Sequence, residues 1–334
     1  KIWGLSAEEL IIPAAWGVSL GGLLQTLVNL PYLKKIGYRW KLIVSFASET
    51  IKTMWKRFIP AMIGIGIREI NLIADALMAS YLPIGSITAL GYGNRLMQLP
   101  LGIFAISAGT AVLPMYSRYI SKGEYQELSD SMRFTTLSLS YVILPITTLI
   151  LVLAPDFVHI LFAHGAFDSL AEQMTSQALV FYSLGLMFYS LNQTLTPIFY
   201  ATGDTKTPVK LAAAMVGLNI LLNLVLMQFI YHRGLALSTS LTAFVNYIIL
   251  LSLIKKRIPN VRFSGILKNM LKTIALCTIL YVFAHWLHQH IPSTGKGGTF
   301  LQVSFTSGIS LICFYVRGIV IKLSYLKDVS RNLW

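Results

Sequence analysis

Apolar residues in this chain fall in long blocks, and polar residues fall in short runs between them. A helix needs roughly 20 residues to cross a bilayer. On that measure the blocks predict nine spanning helices, at about 8–33, 58–82, 87–117, 128–154, 170–202, 206–230, 233–254, 266–291 and 298–323. The breaks carry turn and helix-start chemistry. Leu82-Pro83-Ile84-Gly85-Ser86 reads as a tight turn, Thr202-Gly203-Asp204 ends one helix, and Thr207-Pro208 opens the next. Helices this apolar must satisfy their backbone groups internally, so the predicted fold is an all-α polytopic membrane bundle. The stretch at about 41–57 differs, being amphipathic and basic, and is expected to lie along a membrane surface before the second span.

Composition strengthens the membrane assignment. Hydrophobic residues make up 55% of the 334 and charged residues 12%, where a soluble domain carries about 25%; mean hydropathy is +0.67. A net charge of +14 in a soluble chain would suggest nucleic acid. Here 22 of the 27 Lys and Arg sit in the connections 34–57, 118–133, 203–210 and 255–272 and in the tail from 317. Only Lys1, Arg233 and Lys296 lie on the other side. The charge therefore sets topology beside anionic lipids, and no nucleic-acid partner is expected. The positive-inside rule puts the N-terminus outside and the C-terminus in the cytoplasm. Cys277 and Cys313 fall inside apolar blocks, without disulfide or metal spacing. The chain opens Lys1-Ile2-Trp3, with no signal-peptide pattern and no initiator Met, and is expected to be an excerpt or a truncation.

Two Arg are left unplaced by that count, Arg68 and Arg95, both within spans, and Glu69 and Asp75 join them. Each costs about 2.5–3.5 kcal/mol in the bilayer core unless it is paired or faces a wet cavity. Asp75 precedes Leu82 by seven residues and Arg95 follows Ile87 by eight. Both then sit ~10–12 Å below the outer end of one helical hairpin and can pair. Arg68 and Asp75 share a helix face. One expectation is that Asp75 neutralises Arg68 or Arg95 and only holds helices together. The other is that Arg95 faces a cavity and meets an anionic substrate, for which its guanidinium fork suits phosphate oxygens. Asn94 and Gln98 add amides beside it.

A second polar patch comprises Asn219 and Asn223, one turn apart, with Thr239 and Ser240 in the next span. It reads either as interhelical hydrogen bonding or, with Asp75, as an oxygen cage for a hard monovalent cation. His285, His288 and His290 read as headgroup-level residues, and His159 and His164 pair with nothing identifiable in sequence. No nucleophile–base set, Gly-rich phosphate loop or HExxH motif occurs, so an enzyme is not expected.

Several collinear stretches resemble the MurJ/MviN family. They are Ile70-Asn71-Leu72-Ile73, Ala79-Ser80-Tyr81-Leu82, Asn94-Arg95-Leu96-Met97-Gln98-Leu99-Pro100-Leu101-Gly102-Ile103 and Phe199-Tyr200-Ala201-Thr202-Gly203-Asp204-Thr205-Lys206-Thr207-Pro208. The opening block, Gly21-Gly22-Leu23-Leu24-Gln25 with Leu30-Pro31-Tyr32-Leu33-Lys34-Lys35, is similar to that family's sixth helix and its exit. The resemblance implies two six-helix lobes of the MATE-like type, two extra C-terminal helices, and flipping of undecaprenyl-linked peptidoglycan precursor (lipid II) across the bacterial cytoplasmic membrane by alternating access. Residues 1–40 would close the N-lobe, 41–57 would form the surface helix, 58–257 the C-lobe, and 258–334 the extra pair and tail; about the first five helices of the family would be missing. Arg95 matches the family's C-lobe cavity arginine, and Asp75, Asn219, Asn223 and Thr239 fall where some members coordinate a sodium ion. Position 235, a Leu here, would add a backbone carbonyl. Asn94 and Gln98 stand where some relatives carry acids. The resemblance also implies lipid II, membrane lipids and cell-wall synthesis proteins as partners. A related exporter of another lipid-linked saccharide or of a drug, and a non-transporting scaffold for cell-wall enzymes, are the alternatives.

Overall fold

The computed structural model describes residues 11–35, 37, 49–258, 265–291 and 295–320. Every element among them is helical. The chain divides into two compact units, Lys1–Pro60 and Ala61–Trp334. The first contains α1 (Ile11–Lys35), whose apolar residues Trp16, Leu24 and Val28 are exposed and whose last turn carries Lys34 and Lys35. It also contains the start of α2 (Glu49–Ser80). Residues 41–48 of the expected surface helix lie outside the described residues, while 49–57 form the first turns of α2 with no break before the span.

The second unit is built around α5 (Tyr125–Phe162), a 38-residue helix more deeply buried than any other span. Before it come α3 (Ser86–Pro100), a π-helical stretch over Leu101–Ile106, and α4 (Ser107–Lys122). The expected single span at 87–117 is thus one continuous helix with a π segment inside it. Pro100 is the cause: it has no N–H for the Leu96 carbonyl, so the ladder widens immediately after it. Gly123, at φ 73, ends α4, and its N–H bonds the Ile120 carbonyl at 3.2 Å.

The expected span at 170–202 is divided. It forms α6 (Ser169–Ser183) and α7 (Leu186–Ala201), separated at Leu184-Gly185. Next come α8 (Lys206–Ile230), α9 (His232–Arg257), α10 (Ile266–His290) and α11 (Gly295–Val320). One residue, Tyr231 at φ 53, joins α8 to α9. The last pair packs on α5 through Tyr141, whose ring lies 5.1 Å from Phe314 and 5.4 Å from Tyr315.

Among the described residues six helices are long and apolar enough to cross a membrane: Ser86–Lys122, Tyr125–Phe162, Lys206–Ile230, His232–Arg257, Ile266–His290 and Gly297–Val316. The other three expected spans fall on α1, α2 and the divided α6–α7. The burial pattern of α8 shows which solvent this fold is made for. Its fully buried residues are Leu211, Asn219 and Asn223, while Leu221, Val225 and Phe229 are exposed. Amides inside and leucines outside is the arrangement for a lipid surround, where polar groups must find partners within the protein. This is a multi-pass membrane protein.

Candidate functional site

Three helices bring one carboxylate into a ring of amides and hydroxyls. Asp75 projects from α2, where Asn223 on α8 donates Nδ2 to Asp75 Oδ1 at 2.6 Å and Asn71, one turn back on α2, donates Nδ2 to Oδ2 at 3.2 Å. Each such charged hydrogen bond is worth about 1.5–3 kcal/mol, enough for the pair to offset the cost of holding the carboxylate in the membrane. Asn223 Nδ2 also reaches Asn219 Oδ1 at 3.1 Å, and Ser238 Oγ on α9 donates to Asn223 Oδ1. Thr239 Oγ1 and Ser238 Oγ lie 3.4 Å from the Asn219 Nδ2, and both hydroxyls reach the Leu235 carbonyl at 2.8 Å. The sequence-predicted set Asp75, Asn219, Asn223 and Thr239 therefore meets in space, with the Leu235 carbonyl beside it. Asn71 and Ser238 join them and were not among the predicted site residues; their only sequence signal is a position one helical turn from Asp75 and one residue before Thr239.

The orientation of the Asn219 amide decides what the cluster can hold. With its oxygen toward α2, that oxygen accepts from Asn223 Nδ2 at 3.1 Å and lies 3.1 Å from both Asp75 Oδ1 and Asn71 Oδ1. Turned over, the same amide donates its NH2 to both oxygens and accepts the Thr239 N–H at 3.3 Å. The first arrangement is a cage of converging lone pairs carrying one negative charge. The second satisfies those oxygens without an ion, but sets the Asn219 amide nitrogen 3.1 Å from Asn223 Nδ2 and gives up the bond from it.

Of the expected ion pairs at Asp75, the one with Arg95 is not formed, because the Asp75 oxygens turn toward α8 and are met by neutral amides. Glu69 is exposed and has no ion pair among the described residues, and the side chain of Arg68 lies outside the described residues. Arg95 is exposed on α3, its guanidinium 5.7 Å from the ring of Tyr92, which packs in turn on Phe162 at 4.5 Å. Gln98 Nε2 donates to Asn94 Oδ1, so the two predicted amides form one patch beside the arginine. A permanently charged five-donor fork next to neutral amides can grip a phosphate-type anion and cannot carry a proton.

Tyr182 lies buried on α6. Ser240, expected with Thr239 in one patch, instead turns to α6 and donates Oγ toward the carbonyls of Phe181 (2.7 Å) and Tyr182 (3.2 Å). At the helix ends sequence reasoning missed two further contacts. His159 meets Glu172 at 3.0 Å and His288 meets Asp156 at 3.4 Å. At the other ends Asp204 Oδ1 accepts the backbone N–H of Thr207 at 2.9 Å and Oδ2 accepts from Arg257, whose other Nη reaches Thr207 Oγ1 at 2.9 Å. Hydrogen bonds from Thr207 and then Arg257 hold the Asp204 carboxyl well below the usual carboxylate range. Among the described residues no group of three His, Cys, Asp or Glu is placed to hold a metal ion.

A family model described as "Lipid II flippase MurJ" matches residues 3–306. The chain belongs to the MurJ family. A probable lipid II flippase MurJ of Bdellovibrio bacteriovorus is 27% identical over 318 residues, covering 95% of this chain and 61% of that protein. Its counterpart in Vibrio cholerae is 34% identical over 250 residues, covering 74% and 48%. This chain thus spans about half to three-fifths of the length of these MurJ relatives. A solved structure of lipid II flippase MurJ in an inward closed conformation superposes with TM-score 0.66 at 25% identity, over 87% of this chain and 60% of that one. An outward-facing multidrug resistance MATE family transporter of the MOP superfamily shares the fold, with TM-score 0.51 at 18% identity over 82% and 70%.

Proposed function

We propose that the protein carrying this chain is a lipid II flippase of the bacterial cytoplasmic membrane. It moves undecaprenyl-pyrophosphate-linked peptidoglycan precursor from the inner to the outer leaflet by alternating access, without making or breaking bonds. Arg95 grips the pyrophosphate, with Asn94 and Gln98 beside it, and the C-terminus lies in the cytoplasm on the side where basic residues crowd. The observation that carries this reading is that Arg95 is exposed at the membrane-embedded part of α3 and has no carboxylate partner among the described residues. A charge there is retained for a ligand.

Two further roles follow for the same protein. The Asp75 cluster, with Asn71, Asn219, Asn223 and Thr239, binds a sodium ion when the Asn219 oxygen faces α2: one carboxylate among neutral oxygens matches a single positive charge. The groove of about 480 Å³ between α10 and α11, lined by Leu276, Ile279, Val282, Phe283, Trp286 and Phe314, takes the lipid tail.

The test replaces the resident flippase in a depletion strain with the intact protein, comparing wild type, Arg95→Ala and Arg95→Lys at equal membrane abundance. Wild type should restore growth and cell shape, Arg95→Ala should not, and Arg95→Lys should restore them only partly because the fork is lost. Full rescue by Arg95→Ala would return Arg95 to a structural role. Failure of properly inserted wild type would move the assignment to another lipid or to a scaffold.

A further inference from the structure

Each hydroxyl of the Asp75 cluster carries one hydrogen, so the direction of its bonds can be followed. Thr239 Oγ1 lies 2.8 Å from the Leu235 carbonyl and gives its hydrogen to it. Ser238 Oγ lies 2.8 Å from the same carbonyl, but its contact with Asn223 Oδ1 is closer, and two oxygens approach so near only with a hydrogen between them. With that hydrogen committed to Asn223, Ser238 turns a lone pair toward Asn219, as Thr239 does. Both hydroxyl oxygens lie 3.4 Å from Asn219 Nδ2 and can only accept from it. The Asn219 NH2 is thereby drawn toward α9 and its oxygen toward α2, where Asn223 Nδ2 donates to it. In the opposite orientation the Asn219 oxygen would face two hydroxyl lone pairs, while Asp75 and Asn71 held the NH2. The two faces of one buried amide thus compete, and Ser238 favours the cation-holding one. Ser238 and Asn223 are 0% exposed and Asn219 is 2% exposed, so bulk water does not replace a partner lost there.

We propose that Ser238 is a positioning residue for the cation site: by donating to Asn223 and accepting from Asn219 it sets the Asn219 oxygen toward α2. It acts through the two amides and is not itself a ligand. The proposal rests on the cation role given above to the Asp75 cluster. An ion that binds one orientation of a two-state amide has its affinity reduced by the fraction of protein in that orientation, so the bias that Ser238 supplies is read directly as cation affinity.

The experiment measures 22Na+ binding to the intact protein in detergent, at constant ionic strength balanced with choline chloride. Ser238→Ala deletes the hydroxyl and should weaken 22Na+ binding by about fivefold or more, the bias of one hydrogen bond. Ser238→Thr keeps a hydroxyl on the same carbon and should stay within about twofold of wild type. Ser238→Cys, close to serine in size with only a weak S–H donor, should fall between the two, and it serves in place of an alanine variant that does not fold. Ser240→Ala is the matched control. It deletes another buried serine hydroxyl of α9, one that bonds Phe181 and Tyr182 and not the cluster, and should stay within about twofold of wild type. Wild-type affinity in Ser238→Ala, or in Ser238→Cys where the alanine variant does not fold, would overturn the positioning role while leaving the cation role intact. Equal losses in Ser238→Ala and Ser238→Thr, or in Ser238→Ala and Ser240→Ala, would overturn it as well. Absence of 22Na+ binding to wild type would remove the cation role itself, and the positioning role with it.

Discussion

Gly185→Ala is the sharpest stability test of the packing between α9 and the α6–α7 break. The added methyl would sit 2.6 Å from Ser240 Cα, 2.6 Å from Oγ and 2.8 Å from Cβ. Unstrained carbon atoms approach to about 3.5–4.0 Å, so the two segments must separate by about 1 Å. Overpacking of this kind costs about 1–3 kcal/mol. Separation also stretches the 2.7 Å bond from Ser240 to the Phe181 carbonyl, adding about 1 kcal/mol for a buried acceptor left without a donor. The expected destabilisation is therefore about 2–4 kcal/mol. Equilibrium unfolding in mixed dodecyl maltoside and dodecyl sulfate micelles, followed by far-UV circular dichroism, would read it. A double-mutant cycle adds specificity. Ser240→Gly deletes the clashing Oγ and Cβ and leaves only the backbone carbon in the way, so Gly185→Ala should cost about half as much in that background. In Ser240→Ala the remaining Cβ keeps most of the cost. A Gly185→Ala protein within about 0.5 kcal/mol of wild type would refute the reasoning.

Two other perturbations test separate parts of the molecule. Tyr231 adopts φ 53 and ψ −134 at the one-residue α8–α9 junction and is mostly exposed, so Tyr231→Gly should relieve strain and stabilise by about 1 kcal/mol, read as a raised Tm; a lowered Tm would mean the ring's contacts outweigh the strain. Asp204 has a folded-state pKa depressed by Thr207 and Arg257, so its contribution is present above the unfolded value of about 3.9 and disappears as pH falls through the lower folded value. The Tm difference between wild type and Asp204→Asn should accordingly be constant from about pH 5 to pH 8 and shrink below about pH 4; a difference that varies between pH 6 and pH 8 would contradict the assignment.

The helical class and the residues that meet at Asp75 were legible because each rests on local pattern. Asn219 and Asn223 share a helix face by spacing alone, and a carboxylate at Asp75 inside an apolar block demands a partner. The identity of that partner was not legible. Depth placed Asp75 level with Arg95, but rotation about the α2 axis turns it to Asn223, and rotation is fixed by packing, not by distance along the chain. The α6–α7 break was hidden for a similar reason. Ser183-Leu184-Gly185 sits within an apolar run and reads as uninterrupted helix; the interruption comes from Ser240, more than fifty residues later. His159 and Glu172 pair because the short turn after α5 folds α6 back alongside it, which no period in either segment announces.

The π-helical stretch after Pro100 behaves like a dislocation in a crystal lattice. It holds surplus chain within a helix that is otherwise regular on both sides, from Ser86 to Lys122. Relative to an unbroken α-helix, each surplus residue offsets one flank from the other by about 100° and about 1.5 Å. Arg95 stands on one flank, and on the other Gly109 packs against α7, where a Cβ would meet the Gln193 carbonyl oxygen at 2.6 Å. Gly93, whose Cβ would meet Ala178 Cβ at 3.1 Å, fixes the first flank against α6 in the same way, so the surplus chain between them sets the direction in which Arg95 faces.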